Sequence, residues 1–109
     1  MIDLATKHCS PQRGSALSRP VAENLLNQLT GWTTYIGAKE IRRTFAFKDY
    51  YAGMAFVNAV AWIAHREDHH PDMVVGYNKV TVTFSTHSVG GLSENDFICA
   101  AKIDALGAA

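Results

Sequence analysis

The sequence has few of the features that mark a protein for export, for a membrane or for a structural metal. Its 109 residues include two cysteines, Cys9 and Cys99, and neither lies in a Cys-x-x-Cys motif, which excludes a zinc ribbon and a redox dithiol. Residues 1–15 lack the apolar core of a signal peptide, and no window reaches the roughly 20 apolar residues of a membrane span. We therefore expect a cytoplasmic protein with reduced thiols and no membrane partner.

Neither sign of charge is in excess, and the common nucleophile and phosphate motifs are missing. Ten basic and ten acidic residues give a formal net charge of zero, whereas nucleic-acid-binding domains usually carry a basic excess. The sequence contains no Gly-x-Ser-x-Gly elbow and no glycine-rich phosphate loop. We therefore expect no nucleic-acid partner, no covalent intermediate and no cofactor.

Apolar residues make up 48% of the sequence, which is enough to build the core of one domain. Residues 1–17 show no periodicity and are predicted to form a flexible leader, followed by a single domain over residues 18–109. Ser18 and Pro20 are typical of the start of an amphipathic helix, and Gly31 is predicted to end it. The stretches "WTTYI" and "EIRRTFAF" then indicate an antiparallel hairpin.

The second half of the chain repeats this order with a longer helix. Asp49 can cap a helix that runs to about residue 67, and Pro71 prevents the helix from continuing. A second hairpin is predicted at "MVVGY" and "KVTVTFS", and Ser93 with Asp96 has the spacing of a capping box before a last helix. The order αββαββα predicts an α+β two-layer sandwich, in which three helices cover one face of a four-stranded antiparallel sheet. We expect the other sheet face to stay polar or to meet another subunit.

Four of the five histidines lie in the second half of the chain: His65, His69, His70 and His87. Imidazoles at a helix C-terminus can simply be exposed and complement the helix dipole. A zinc site would use His65, His69 and His87, but the glutamate of a His-Glu-x-x-His site is missing and adjacent histidines chelate poorly, so no metal is predicted. Acid–base catalysis is the favoured interpretation, because an unperturbed imidazole has a pKa of about 6.5 and can exchange protons near neutral pH.

The spacing of these residues resembles the signature of the pterin-4a-carbinolamine dehydratase family. The positions that carry the resemblance are His65, His69, His70, Pro71, Tyr77, His87 and Asp96, and the strings "YNKVTVTFSTHS" and "GLSENDF" extend it. The similarity covers roughly residues 18–107. Many relatives have a bulky residue two positions after the proline, where this chain has Met73.

The resemblance implies the same αββαββα fold and a dehydration without cofactor. The substrate would be 4a-hydroxytetrahydrobiopterin, left by the aromatic amino acid hydroxylases, and the product would be quinonoid dihydropterin. By position, the catalytic histidines would be His69, His70 and His87, with His70 and His87 as the acid–base pair and His69 orienting the pterin. Substrate contacts would come from a further set: Asp68, Pro71, Ser85, Thr86, Ser88 and Asp96.

The resemblance also implies partners and leaves alternatives open. The family forms dimers and tetramers, and a functional link to phenylalanine hydroxylase is expected. One alternative is a binding role, because animal members are dimerisation cofactors of a homeodomain transcription factor. Another is the same acid–base site acting on a different pterin, such as one on the molybdenum-cofactor route.

Overall fold

The fold is described by a computed structural model that covers residues 3–107. In chain order its elements are α1 (Arg19–Leu26), β1 (Thr33–Tyr35), β2 (Glu40–Ala46), α2 (Tyr50–Glu67), β3 (Asp72–Val75), β4 (Lys79–Phe84) and α3 (Glu94–Asp104), with short 3-10 turns at Leu4–Thr6 and His87–Val89. The predicted order of helices and strands is therefore confirmed.

The four strands form one antiparallel sheet in the order β1-β2-β4-β3. Successive side chains of a strand point to opposite faces of the sheet. In β4, Val80, Val82 and Phe84 are buried, whereas Thr81 and Thr83 between them are only half-buried. The buried face of β4 packs against α2, and α3 packs against α1 and α2. The two-layer α+β sandwich is thus confirmed, and one sheet face is left without helices.

The helix boundaries follow from capping residues and from proline. The side chain of Asp49 accepts a hydrogen bond from the Ala52 N–H at 2.9 Å and so begins α2, as predicted. Helix α2 ends where Asp68 adopts a left-handed conformation with φ of 53°. Helix α1 ends at Leu26, earlier than the predicted end at Gly31, because the backbone tightens into i→i+3 turns after it. No helix within residues 3–107 is long and apolar enough to cross a membrane.

Residues 3–12, within the predicted leader, make specific contacts with the rest of the chain. Leu4 is 5% exposed and belongs to the hydrophobic core. The Cys9 N–H donates to Oε1 of Glu67 at 2.7 Å, and the Cys9 Sγ lies 3.5 Å from the Cys99 Sγ on α3. Ser10 and Asn95 exchange two further hydrogen bonds, between the Ser10 backbone and the Asn95 side chain. Residues 3–12 thus form an arm that packs on α2 and α3.

Glu67 is the residue that ties this arm to the end of α2. Burial raises the pKa of Glu67, but the Cys9 N–H, the His8 imidazole and the Lys102 ammonium together bring it below its ordinary value of 4.5. The His8 Nδ1 lies 3.0 Å and the Lys102 Nζ 3.8 Å from Glu67 Oε2. The contact with the Cys9 thiol, together with burial, raises the pKa of the Cys99 thiol.

Candidate active site

A polar cavity of about 400 Å³ opens on the sheet face that the helices do not cover. Residues 83 and 85 alternate with the buried Phe84, so their side chains point away from the helices. Thr83 pairs with Arg42 of β2 on one side and with Asp72 of β3 on the other, so these positions lie side by side across three strands. The cavity is lined by Glu40, His70, Asp72, Thr83, Ser85 and His87. It therefore contains two imidazoles, two carboxylates and two hydroxyls.

Local backbone constraints bring His70 and His87 to this cavity. The left-handed Asp68 ends α2, and Pro71 favours extended backbone at His70, so the chain runs straight from the helix into β3. On the other side, the Thr86 N–H donates to the Gly91 carbonyl at 2.7 Å and closes a short loop beyond β4. His87 begins the 3-10 turn inside that loop and is exposed, as is His70.

His69 points to the opposite side of the same segment. Its Nε2 lies 2.6 Å from Asp96 Oδ1, and its ring stacks on Phe84 with centroids 5.8 Å apart and planes at 9°. The His69 side chain is 12% exposed. In an extended chain neighbouring side chains point in opposite directions, so His69 faces the helical layer while His70 faces the cavity. The structure does not bring the three candidate histidines into one pocket.

Asp96 is the centre of a buried hydrogen-bond network beneath the sheet. Its side chain is fully buried. Asp96 Oδ2 accepts from the Thr86 hydroxyl at 2.8 Å and from the Ser93 N–H at 3.0 Å, while Oδ1 faces His69. The Ser93 hydroxyl lies 2.6 Å from that of Thr86, which can accept this bond while donating to Asp96. The predicted capping box is therefore present, and Asp96 and Thr86 have internal partners where substrate contacts were expected.

A second cavity, of about 270 Å³, lies between the N-terminal arm and this network. Asp68, His69, Thr86 and Ser88 line it together with Cys9, Ser10, Pro11, Gln12, Glu67 and Asn95. The Ser88 hydroxyl donates to the Gln12 carbonyl at 3.0 Å. Most of the candidate residues thus fall into two groups: His70, Ser85 and His87 line the cavity on the open sheet face, and Asp68, His69, Thr86 and Ser88 line the cavity beside the arm. The half-buried Pro71 and the fully buried Asp96 line neither cavity.

The remaining signature residues lie outside both cavities. His65 is exposed on α2 and its ring is 5.6 Å from that of Trp62. Tyr77 is 71% exposed in the turn between β3 and β4. Over residues 3–107, no group of three or more histidine, cysteine or carboxylate side chains is arranged to hold a metal ion. A zinc site built from His65, His69 and His87 has no counterpart in this geometry.

Three residues of this cavity were not among the predicted site residues: Glu40, Asp72 and Thr83. Glu40 is the most distant of them in the sequence from His70 and His87. It is the first residue of β2 and shares the cavity with both imidazoles. A glutamate at the start of a strand has no distinctive sequence signal, because charged residues are common at strand ends. Only the pairing of β2 with β4 brings it beside residues that are more than 40 positions away in the chain.

The chain is thus a two-layer α+β sandwich of the order αββαββα, with a histidine-lined cavity on its open sheet face. A family model described as pterin 4 alpha carbinolamine dehydratase matches residues 15–106. The chain belongs to this family, as its sequence signature predicted.

Individual relatives agree with this assignment. A protein of Nitrosospira multiformis, provisionally named a pterin-4-alpha-carbinolamine dehydratase, is 63% identical over 95% of this chain and 92% of its own length. A Stenotrophomonas maltophilia protein with the same provisional name is 59% identical over 97% of this chain and 93% of its own length.

Two solved structures share the fold. One, titled a transcriptional coactivator/pterin dehydratase from Brucella melitensis, is 36% identical with a TM-score of 0.80, over 84% of this chain and 98% of its own. The other is titled a pterin dehydratase-like protein and a RuBisCO assembly factor in the alpha-carboxysome. It is 26% identical with a TM-score of 0.62, over 72% and 93% of the two chains.

Proposed function

We propose that this protein dehydrates 4a-hydroxytetrahydropterins to quinonoid dihydropterins, with His70 and His87 as the acid–base pair. The observation that carries the proposal is the cavity of about 400 Å³ in which these two imidazoles are accessible together. Membership of the dehydratase family supports the reaction class. The proposed source of substrate is an aromatic amino acid hydroxylase such as phenylalanine hydroxylase, acting in the cytoplasm.

The reaction requires one proton donor and one proton acceptor. The acid protonates the hydroxyl at C4a, and the C4a–O bond breaks to release water. The base removes the proton from N5, and the electrons of the N–H bond form the N5=C4a double bond. Imidazoles serve as both donor and acceptor near neutral pH, so one of the two histidines can start protonated and the other neutral. The proton lost from N5 balances the one delivered to the leaving hydroxyl.

In this proposal His69 and Asp96 act as positioning residues. The hydrogen bond at 2.6 Å to Asp96 and the stacking on Phe84 fix His69 against the helical layer. His70 is the next residue, and Pro71 restricts its backbone. The buried network thus sets the angle at which the His70 ring enters the cavity. Substrate contacts on the open face are assigned to Ser85.

The test is stopped-flow measurement of the decay of 4a-hydroxypterin absorbance. We expect the wild-type protein to accelerate the decay, and His70→Ala and His87→Ala each to lower the catalysed rate by roughly 100- to 10,000-fold. His65→Ala is the matched control, because His65 is exposed on α2 outside the cavity, and it should keep the wild-type rate. The acid–base assignment is wrong if His70→Ala and His87→Ala both keep the wild-type rate. The proposed function is wrong if the wild-type protein does not accelerate the decay.

We further propose that the protein is a homodimer or tetramer. Strand β3 is an edge of the sheet and exposes Val74 by 71% and Val75 by 39%, and exposed apolar edges favour pairing with another strand. Helix α2 also exposes Tyr51 and Trp62. Light scattering of the purified protein should give a multiple of 11.9 kDa, and a monomeric mass would contradict this proposal.

A further inference from the structure

Glu40 lies where two cavities meet on the open face of the sheet. It lines the main cavity with His70 and His87, and also an adjoining cavity of about 210 Å³ toward the β1–β2 turn. The side chain is 26% exposed. Its strand partner is Tyr35 of β1.

The carboxylate of Glu40 has little to bind within the protein. Its nearest cation is Arg42, whose Nη2 lies 3.6 Å from Oε1, and the Arg42 guanidinium rests 4.0 Å from the centroid of the Tyr35 ring. Within residues 3–107 no residue donates a hydrogen bond to the Glu40 oxygens. Arg42 Nε is itself buried without a hydrogen-bond partner. The Glu40 carboxylate is therefore free to accept hydrogen bonds from a ligand in the cavity that it lines.

The pterin ring carries a matching pair of donors. Its pyrimidine edge presents N3–H and the 2-amino group side by side, and the two oxygens of one carboxylate can accept both bonds in parallel. The geometry points to Glu40 as the residue that binds this edge of the pterin, which orients C4a and N5 relative to His70 and His87. This inference rests on the proposed function and adds the residue that selects the ring.

The other carboxylate of the cavity provides a matched comparison. Asp72 is exposed at the start of the edge strand β3, and no ion pair with it occurs within residues 3–107. It lacks the neighbouring guanidinium and the adjoining cavity of Glu40. Glu40→Gln and Asp72→Asn therefore remove the same charge from opposite sides of one cavity.

The test compares two fluorescent rings, 6-methylpterin and 6-methyllumazine, which carry a 2-amino and a 2-oxo group respectively. We expect the wild-type protein to bind the pterin roughly 10- to 100-fold more tightly, because the 2-oxo group would face the carboxylate with an acceptor instead of a donor. Glu40→Gln should lose most of this preference, whereas Asp72→Asn should keep it. In turnover, Glu40→Gln should lower kcat/KM, with a raised KM reporting the lost contact to the pyrimidine edge.

The outcomes separate this inference from the proposed function. If the protein accelerates dehydration but Glu40→Gln keeps the wild-type ring preference, the assignment of Glu40 is wrong and the function stands. If Asp72→Asn loses the preference instead, Asp72 is the recognition residue and the assignment is again wrong. If dehydration is not accelerated but Glu40→Gln abolishes a preference for pterin, the inference stands and the proposed reaction is wrong. Unchanged thermal unfolding of both variants would show that folding is not the cause.

Discussion

Asp96 offers the sharpest test of how the fold supports the candidate site, through the substitution Asp96→Ala. The residue is fully buried, and its two oxygens face three groups: the His69 imidazole, the Thr86 hydroxyl and the Ser93 N–H. Alanine would remove this shared partner from all three groups. Helix α3 would also lose its capping box.

The size of the effect follows from counting those groups. An unsatisfied buried donor costs about 1–3 kcal/mol, and hydrogen bonds to a charged acceptor lie toward the upper end. Thr86 keeps its 2.6 Å contact with the Ser93 hydroxyl, so its share is small. The His69 imidazole and the Ser93 N–H together lower the free energy of unfolding by about 3–5 kcal/mol when Asp96 is lost. This is a large part of the roughly 5–15 kcal/mol that stabilises a domain of this size.

Urea denaturation followed by circular dichroism measures this loss directly, with the slope of the transition checked for constancy. Asp49→Ala is the matched control, because it also removes a helix-capping carboxylate, but from the half-buried start of α2, and should cost only about 1 kcal/mol. The reasoning is refuted if Asp96→Ala costs no more than the control. Asp96→Asn keeps the shape of the side chain and one acceptor oxygen, so its loss of unfolding free energy should lie between those of Asp96→Ala and Asp49→Ala.

Three further predictions concern the N-terminal arm and the turn between β1 and β2. Since the pKa of Glu67 is lowered in the folded protein, its contribution to stability is present above its ordinary value of 4.5 and is lost as the pH falls through the lowered value. Glu67→Gln should therefore flatten the acid limb of the free energy of unfolding plotted against pH, and an unchanged limb would contradict the contact. Leu4→Ala should lower the unfolding free energy by about 2–3 kcal/mol in urea, and no loss would mean that the arm is not part of the folded unit. Ile36 has φ of 53° and is 64% exposed, so Ile36→Asn should raise the unfolding free energy by about 0.5–1 kcal/mol, whereas a lower melting temperature would contradict the strain argument.

The periodic parts of the fold could be predicted because each is fixed by neighbours in the sequence. The alternation of Val80, Val82 and Phe84 predicts a half-buried strand, and Asp49 and Pro71 bound the long helix on either side. The end of α1 was predicted too late, because Leu29 continues the apolar stripe although the chain has already left the helix. The packing of the arm was missed because a single leucine without periodicity gives no local signal.

The candidate site could be predicted only in its composition. Neighbouring side chains of an extended segment point in opposite directions, but the sequence does not say which of His69 and His70 enters a cavity. That choice depends on Asp96, 27 residues further along the chain, which draws His69 toward the helices. Glu40 was missed because its place beside His87 depends on strand pairing between distant segments.

Because the cavity lies on the helix-free face of the sheet, the side through which the protein is immobilised or fused determines whether the cavity stays accessible. A surface, a fusion partner or a bound antibody that covers α1, α2 and α3 would leave the cavity open on the far side of the sheet. Attachment through the open sheet face would block it. Immobilisation through an exposed residue of α2, compared with immobilisation through one on the open sheet face, would therefore give preparations of the same fold with opposite accessibility to small molecules.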